Sequence, residues 1–471
     1  MRRVTPDRPW PLHGVAASRV IEQGAAGSLP AHTLMQRAGH AVARLALAIA
    51  PHAKNVWVAC GPGNNGGDGF EAAMHLRQWG KDVTVTLAGD EARAPADAKA
   101  SLQRARAAGV RFASDVPASF DLAIDAMLGI GSARPLEGRM REWAGAMRGV
   151  PVLAVDVPSG LSADTGTGES VFATHTLSLL TLKPGLFTAH GRDACGETWF
   201  DDLGVEGGEP TGWLSGPPAL SQRAHASHKG TWGDVAVIGG APGMAGAALL
   251  AASGALHGGA GRVYVGLLGD TLPVDPAQPE LMIRDWSTLD LAAMAVACGC
   301  GGGDAIRAAL PKVISRARAL VLDADALNAI AADPQLQSQL EARGRRGRRT
   351  VVTPHPLEAA RLLSRSTQDV QADRVAAAQA LAQRFGCVVV LKGSGTVVAA
   401  PSQLPRINPT GNAKLATAGT GDVLAGLVAA RLASNDDALE AAAGAVFDHG
   451  LAADRWRAGR PLTASALARK L

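Results

Sequence analysis

Asn55-Val56-Trp57-Val58-Ala59-Cys60-Gly61-Pro62-Gly63-Asn64-Asn65-Gly66-Gly67-Asp68-Gly69 is the stretch on which the fold turns. The apolar run Asn55 to Cys60 reads as a buried strand, the glycines after it as a turn, and Asp68 to Trp79 as a helix. Strand, glycine-rich turn and helix in that order open a βαβ unit with a parallel sheet. Glycines let the backbone approach a ligand, and amides at a helix N-terminus favour phosphate. The loop is not a Walker loop, because no Gly-Lys-Ser/Thr follows. Gly61, Gly63 and Gly66 fit Gly-x-Gly-x-x-Gly, which alone is a weak signal; the Asn-Asn pair is the less common feature.

Outward from that stretch the alternation continues. Asp82 to Leu87, Asp121 to Asp125 and Pro151 to Asp156 are strand candidates, and the last two end in Asp. Gly204 to Pro218 is rich in Gly and Pro without periodicity and reads as a linker. Beyond it, strands are expected at Asp234 to Ile238, Arg262 to Leu267, Ala293 to Cys298, Ala319 to Asp323, Thr350 to Thr353 and Cys387 to Leu391. Helices fit 243–257, 303–317, 371–386, 421–433 and 437–452. The expected organisation is two three-layer α/β/α domains, 1–210 Rossmann-like and 220–471, with ligands beyond the carboxyl ends of the strands.

Composition removes several alternatives. Of 471 residues 56 are Gly, above the usual ~7%, and their clustering beside apolar runs suits ligand loops rather than linkers. One Tyr and eight Phe do not make a stacking platform for single-stranded nucleic acid. A formal charge of +4 is too weak to imply a polyanion partner. Five cysteines without a CxxC pair give no disulfide framework, so a reducing cytoplasm is expected. No apolar signal segment follows Met1-Arg2-Arg3, and Met244 to Leu268 is too interrupted to span a membrane. The tract Arg343 to Arg349 reads as a solvated loop rather than an RNA site.

Three elements of the first half meet at one sheet edge: the Gly-Asn loop, Asp125-Ala126-Met127-Leu128-Gly129-Ile130-Gly131, and Asp156-Val157-Pro158-Ser159-Gly160. Oxygens of Asn65, Asp125 and Ser159 suit a hard cation, leaving Asp156 for proton transfer. With Lys183-Pro184-Gly185 and Leu34 to Gly39, these elements resemble the NAD(P)H-hydrate epimerases over roughly residues 14–208. The resemblance implies substrate contacts at Asn64, Asn65, Gly66, Gly67 and Asp68, at Gly129, Ile130, Gly131, Ser132, Ala133, Arg134 and Pro135, and at Asp156. It also implies potassium at Asn65, Asp125 and Ser159. Ile130-Gly131-Ser132 departs from the family's usual Thr-Gly-Leu.

In the second half, Gly419-Thr420-Gly421-Asp422 leads into an apolar helix, so its amides form an anion hole and Asp422 is placed to take a proton from an attacking hydroxyl. A helix cap is the alternative role for Asp422. His228-Lys229-Gly230, Pro354-His355-Pro356-Leu357-Glu358, Lys392-Gly393-Ser394-Gly395-Thr396 and Asn408 to Asp422 resemble, in that order, the ribokinase-like NAD(P)H-hydrate dehydratases over about 220–471. The resemblance implies nucleotide contacts at Lys392, Gly393, Ser394, Gly395 and Thr396, and at Asn412, Ala413, Lys414, Leu415, Ala416, Thr417, Ala418, Gly419, Thr420 and Gly421. Hydrate contacts follow at Ala247, Gly301, His355 and Asp422. Gly299-Cys300-Gly301-Gly302-Gly303 departs from the family's Gly-Pro-Gly-Leu-Gly.

The expected function is therefore repair of hydrated NADH and NADPH (NADHX and NADPHX). The first half would interconvert R and S hydrates with K+. The second would dehydrate the S form with ADP and Mg2+, giving NAD(P)H, AMP and phosphate. A ribokinase-like vitamin-precursor kinase with a non-catalytic accessory domain is the alternative. A cytoplasmic homo-oligomer with neither nucleic-acid nor membrane partners is expected.

Overall fold

The computed structural model describes residues 1–131, 135–219, 225–269, 272–435 and 437–471. They fall into two compact units, Met1–Thr5 with Trp10–Trp213 and Pro6–Pro9 with Leu214–Leu471. Inside the stretch read as a linker, Gly212–Leu214 is a short strand.

In the first unit the sheet runs in the order Arg2–Arg3, Glu197–Asp201, His175–Leu179, Val152–Val155, Leu122–Ala126, Asn55–Cys60, Asp82–Leu87, Arg111–Ala113. All are parallel except the Arg2–Arg3 edge. Alternation along one strand feeds both faces. Val56, Val58 and Cys60 pack with Leu45, Phe70 and Leu102 of helices Thr33–Ile49, Asn64–Gln78 and Ala96–Ala107. Trp57 and Ala59 pack with Trp143 and Met147 on the other side, where helix Gly138–Ala146 lies. The chain works outward from Asn55–Cys60, then returns to Leu122–Ala126 on its other side. A crevice opens beyond the strand ends at such a reversal.

One expected boundary is corrected. The helix does not begin at Asp68 but at Asn64, capped by Gly63, so the Asn-Asn-Gly-Gly-Asp motif is helical. Glycine is a poor helix former, which is why the sequence reads as a turn. Packing overrides that preference: a Cβ on Gly66 would lie 2.0 Å from the Gly61 carbonyl oxygen, and one on Gly67 2.5 Å from Met35. The glycines bring the helix down onto the strand end.

In the second unit the parallel strands run Met282–Ile283, Arg262–Leu267, Asp234–Gly239, Ala295–Cys298, Ala319–Leu322, Thr350–Val352, Val388–Leu391, followed by antiparallel Val397–Ala399 and Arg406–Ile407. Helices Ile306–Arg316, Asp325–Ala332, Pro334–Arg345 and Arg374–Phe385 cover one face, and Ala245–His257, Thr420–Ser434 and Ala438–Asp454 the other. Helices Ala245–His257 and Thr420–Ser434 touch backbone to backbone. A Cβ on Gly426 would sit 1.7 Å from the Ala251 carbonyl oxygen, and one on Gly254 2.2 Å from that of Val423. This contact seats the first turn of Thr420–Ser434, where Asp422 lies.

The arginine tract is the solvated loop expected of it only in part: Arg345, Arg346, Gly347 and Arg348 are exposed, and 346–349 join a helix to the strand at Thr350. Arg343 lies in a helix, is 2% exposed, and donates to Thr350 Oγ1 and the Ile314 carbonyl. Arg348 and Arg349 donate to the carbonyls of Ser315, Leu432 and Asn435, satisfying the ends of two helices. All five cysteines are free and buried. Among the described residues no helix is long and apolar enough to cross a membrane.

Candidate active sites

The first unit holds a cavity of about 640 Å³ at the chain reversal. Asn64, Asn65 and Asp68 line it from the first turns of their helix, and Gly129, Ile130 and Gly131 from the loop after Leu122–Ala126. Gly66 and Gly67 are turned to the packing contacts above rather than to the cavity. Pro135 is exposed and lies outside the lining; Ser132, Ala133 and Arg134 lie outside the described residues.

Asp156 ends the strand Val152–Val155 with a left-handed backbone, φ 68°. A non-glycine residue held there marks a position the surroundings over-determine. Its Oδ1 accepts the Leu179 amide at 3.2 Å and forms an ion pair with Lys183. Lys183, 1% exposed, also donates to the carbonyls of Leu179 at 2.7 Å and Thr181 at 3.0 Å. Its three donors are thus spent on one carboxylate and two carbonyls, and the ammonium is fixed in the cavity wall. Sequence reasoning quoted Lys183 as part of a motif but gave it no role; the Lys-Pro-Gly signal was there. Glu22, on helix Val15–Ser28, also lines the cavity, and nothing in the sequence marked it. Burial, then Asp156, raises the pKa of Glu22. Burial followed by Asp156 and Glu22 pushes Asp68 well above the usual carboxylate range.

Asp125 and Ser159 are wholly buried beside this cavity. Asp125 accepts the Ser159 hydroxyl at 2.5 Å, the Ser159 amide at 2.8 Å and the Met127 amide at 3.3 Å, while Ser159 Oγ accepts the Leu128 amide at 2.8 Å. Burial nonetheless raises the Asp125 pKa to about 6, with those hydrogen bonds opposing it. Asn65 lies against the next residue of the same loop: a Cβ on Gly129 would be 3.1 Å from its Oδ1. Its amide nitrogen is buried without a hydrogen-bond partner. The Asp125 carboxylate, the Ser159 hydroxyl and the Asn65 carboxamide oxygen are the kinds of ligand that fit a monovalent hard cation. A divalent ion usually recruits more acidic ligands.

In the second unit four neighbouring strand ends converge. Cys300, Asp323, Thr353 and Lys392 follow Ala295–Cys298, Ala319–Leu322, Thr350–Val352 and Val388–Leu391, which pair in that order. Asp323, 2% exposed, accepts Lys392 Nζ at 2.6 Å and Thr353 Oγ1 at 2.9 Å on Oδ1. Its Oδ2 lies 4.0 Å from Cys300 Sγ, and ligating atoms of Cys300, Asp323 and Asp422 all fall within 4.8 Å of one another. Burial and then Asp323 push Asp422 to about 6. Among the described residues no ion pair joins Asp422 to a cation. For Lys392 the carboxylates of Asp323 and Glu358 more than offset burial, which alone would lower it, and its pKa ends above the ordinary value.

Asp422 is in the first turn of Thr420–Ser434, behind Gly419 with φ 88°. Lys392 Nζ is 3.5 Å from where a Cβ on Gly421 would be, so its ammonium faces the helix N-terminus. The preceding loop is braced from inside: Asn412 donates to Asp454 and the Ala453 carbonyl, Thr417 to the Lys414 carbonyl, and Thr420 Oγ1 to those of Leu415 and Thr417. Asn412, Ala413, Ala416 and Ala418 are exposed, as are Gly393 and Ser394, while Lys414, Leu415 and Thr396 are half-buried and Gly395, with φ 62°, is buried. Gly301 and Ala247 meet, 2.8 Å separating the Ala247 methyl from a Cβ built on Gly301. Gly299, Gly301 and Gly303 all have positive φ, so the altered loop still needs its glycines.

His355 begins helix Pro356–Leu363. Its Nδ1 accepts the amides of Leu357 at 3.1 Å and Glu358 at 3.3 Å, and Nε2 lies 3.2 Å from Glu358 Oε1. Burial raises Glu358 to about 7. Asp323, Glu358 and Cys300 were not among the expected site residues, although each sits in a motif at a strand end.

Residues 31–185 match the family model for the YjeF-related protein N-terminus, and residues 235–471 that for NAD(P)H-hydrate dehydratase. The bifunctional NAD(P)H-hydrate repair enzyme of Escherichia coli strain K12 is 37% identical over 90% of this chain and 85% of its own. The ADP-dependent (S)-NAD(P)H-hydrate dehydratase of Neisseria meningitidis serogroup B is 43% identical over 54% of this chain and 86% of its own. A solved ADP/ATP-dependent NAD(P)H-hydrate dehydratase from Bacillus subtilis, co-crystallised with ATP and Mg2+, is 31% identical over 53% of this chain and 91% of that one, with a TM-score of 0.45. With a relative at this identity matched over most of both lengths, the chain belongs to the bifunctional NAD(P)H-hydrate repair enzymes.

Proposed function

We propose that the two units repair hydrated NADH and NADPH in sequence, the first exchanging R and S hydrates and the second dehydrating the S form at the expense of ADP. The carrying observation is the second site. A carboxylate that no ion pair joins to a cation among the described residues stands in the first turn of a helix whose glycine N-terminus faces the Lys392 ammonium.

In the second unit Asp422, ionised above about pH 6, takes the proton of the hydrate's hydroxyl. That oxygen attacks the terminal phosphorus of ADP, which enters as its magnesium complex. The bond to the bridging oxygen breaks and AMP leaves. Lys392 and the amides of Gly419 to Gly421 take up charge on the transferred group, and positioning supplies most of the catalysis. Phosphate then departs with its C–O bond while the neighbouring ring carbon gives up a proton and the double bond reforms. Gly301, Ala247 and His355 form the hydrate side, and residues 392–396 and 412–421 the nucleotide side.

In the first unit Asp156 is the acid/base group, and Lys183 holds its carboxylate toward the cavity. Asn65, Asp125 and Ser159 would hold K+, which would supply a fixed positive charge beside the Asn64–Asp68 turn. Asn64, Asn65 and Asp68 meet the substrate from the helix, and Gly129 to Gly131 from the loop. Fusion of the units suits a pathway in which one epimer is consumed and the other must be converted. A cytoplasmic setting and assembly with further copies of the chain belong to the same reading.

Incubation of the protein with NADH hydrate and either ADP or ATP tests this, following return of dihydronicotinamide absorbance. ADP is expected to restore it and yield AMP. Accumulation of a stable phosphorylated product would instead mark a kinase.

A further inference from the structure

We propose that Asp323 is a positioning residue of the dehydratase site, holding Lys392 at the Gly419–Gly421 anion hole and setting the charge beside Asp422. The inference rests on reading Asp422 as the base and the Gly419–Gly421 turn as the phosphate site. Nothing in the reaction as derived above uses Asp323, yet it is the group through which the other parts are joined.

Asp323 sits between its strand neighbours. Thr353, from the strand on one side, donates to Oδ1 at 2.9 Å, and the Cys300 thiol, from the strand on the other, faces Oδ2 at 4.0 Å. The Asp323 amide is tied to the Cys298 carbonyl and its own carbonyl to the Ala326 amide. Backbone and side chain are therefore both fixed. Lys392 is a long, rotamer-rich side chain, and ordering it is costly unless something holds its end. Its Nζ is 2.6 Å from Asp323 Oδ1 and within reach of the Gly421 turn. Asp323 thus places a preorganised positive charge where the transferred phosphoryl group must lie.

The same carboxylate also acts on the base. Asp422 is faced by Asp323 and Asp325, whose charges disfavour its ionised form, and by the Cys300 thiol and Lys392, which favour it. Burial is the largest influence, and Asp323 comes next. Removing the charge at Asp323 while keeping its shape takes away repulsion and frees Lys392 from its present partner. Both changes favour ionised Asp422 at lower pH.

The test is steady-state kinetics of the full chain with S hydrate and ADP, for wild type and Asp323→Asn, across pH 5 to 8. For Asp323→Asn, KM for ADP is expected to rise roughly 10–100-fold, the usual cost of losing a group that orients a functional ligand. The acid limb of the kcat profile is expected to move to lower pH. A merely structural aspartate would not move that limb downward. In the double variant with Lys392→Met, Asp323→Asn should add little to the rise in KM, because both act through the same charge. Thr353→Val, which leaves all charges in place, should raise KM several-fold with the limb unmoved, and it decides the matter if Asp323→Asn gives no cooperative melt. Wild-type KM in Asp323→Asn and Thr353→Val overturns the inference, as does full additivity with Lys392→Met. Failure of the wild-type chain to dehydrate with ADP would instead sink the reading on which it rests.

Discussion

Lys183 and Lys392 occupy matching places in the two units, each clamped to a buried aspartate at the carboxyl edge of a parallel sheet. They differ in which aspartate they hold. In the first unit the lysine grips Asp156, the group proposed to handle protons. In the second it grips Asp323 and leaves Asp422 beside another carboxylate. A paired carboxylate is held in place and its charge compensated, which suits reversible exchange at one carbon. An uncompensated one is more basic, which suits abstraction of a hydroxyl proton. In the proposed reading, similar parts thus serve two chemistries by a change of partner.

The largest effect expected from this comparison is at Asp422. Asp422→Asn should lower dehydration by ~10²–10⁴-fold while epimer exchange in the same polypeptide continues. The wild-type rate should fall about tenfold per pH unit below about 6, because the base is lost as it takes up a proton. Epimerisation and dehydration assayed side by side on each variant check both points. A variant retaining most of its dehydration would take the base role away from Asp422, which lies inside the helix behind its Gly419 cap.

Second in size is Lys183→Met. It leaves Asp156 as a buried charge without its partner, and breaking such pairs costs ~3–5 kcal/mol. Epimer exchange should be lost and the melting of the first unit lowered, while dehydration of pure S hydrate persists. Undiminished exchange would show that the pair holds the fold and takes no part in the chemistry.

The contrast also explains what the sequence could reveal. Strands such as Asn55–Cys60 and Ala319–Leu322 are apolar runs buried on both faces, so their limits are written in the residues themselves. The start of helix Asn64–Gln78 was not legible, because its first turns carry glycines that only the strand end beneath them explains. Asp156, Asp125 and Asp422 stood out at strand ends or in a glycine-rich turn. Lys183 lay in a quoted motif and Asp323 at the end of an expected strand, but their partners are 27 and 69 positions away in sequence, and only the sheet order brings them together. Arg343 to Arg349 misled in part for the opposite reason: a run of charges reads as solvated, which holds for Arg345 and Arg346, whereas the guanidinium groups of Arg343, Arg348 and Arg349 reach backbone carbonyls at helix ends.

A moderate effect is expected at Asp125. Its carboxylate ties the loop from Met127 to Ser159 and, in the proposed reading, binds K+ with Ser159 and Asn65. Asp125→Ala should weaken hydrate binding and epimerisation together, on the order of 10-fold or more, as when a group that orients a site is lost. Dehydration of S hydrate should be untouched. Crystals soaked in thallium should give an anomalous peak between Asn65, Asp125 and Ser159. Water alone there would remove the cation from the mechanism.

The smallest expected effect separates two roles of one side chain. His355 Nδ1 accepts two amides at the start of Pro356–Leu363, so in the neutral ring the proton is on Nε2. Burial and then Lys392 hold its pKa below the ordinary value, which favours that neutral form. The cap therefore uses one nitrogen and leaves the other as a donor, directed to Glu358 or to a hydrate. Asn is among the best caps, so His355→Asn should keep stability within a few tenths of a kcal/mol, whereas His355→Ala should cost ~0.5–2 kcal/mol. Both variants lose the Nε2 donor, and both should raise KM for S hydrate by a few-fold, roughly the worth of one hydrogen bond. Thermal melts beside hydrate titrations tell the roles apart. If His355→Asn keeps the wild-type KM, the histidine is a cap and the hydrate contact lies elsewhere.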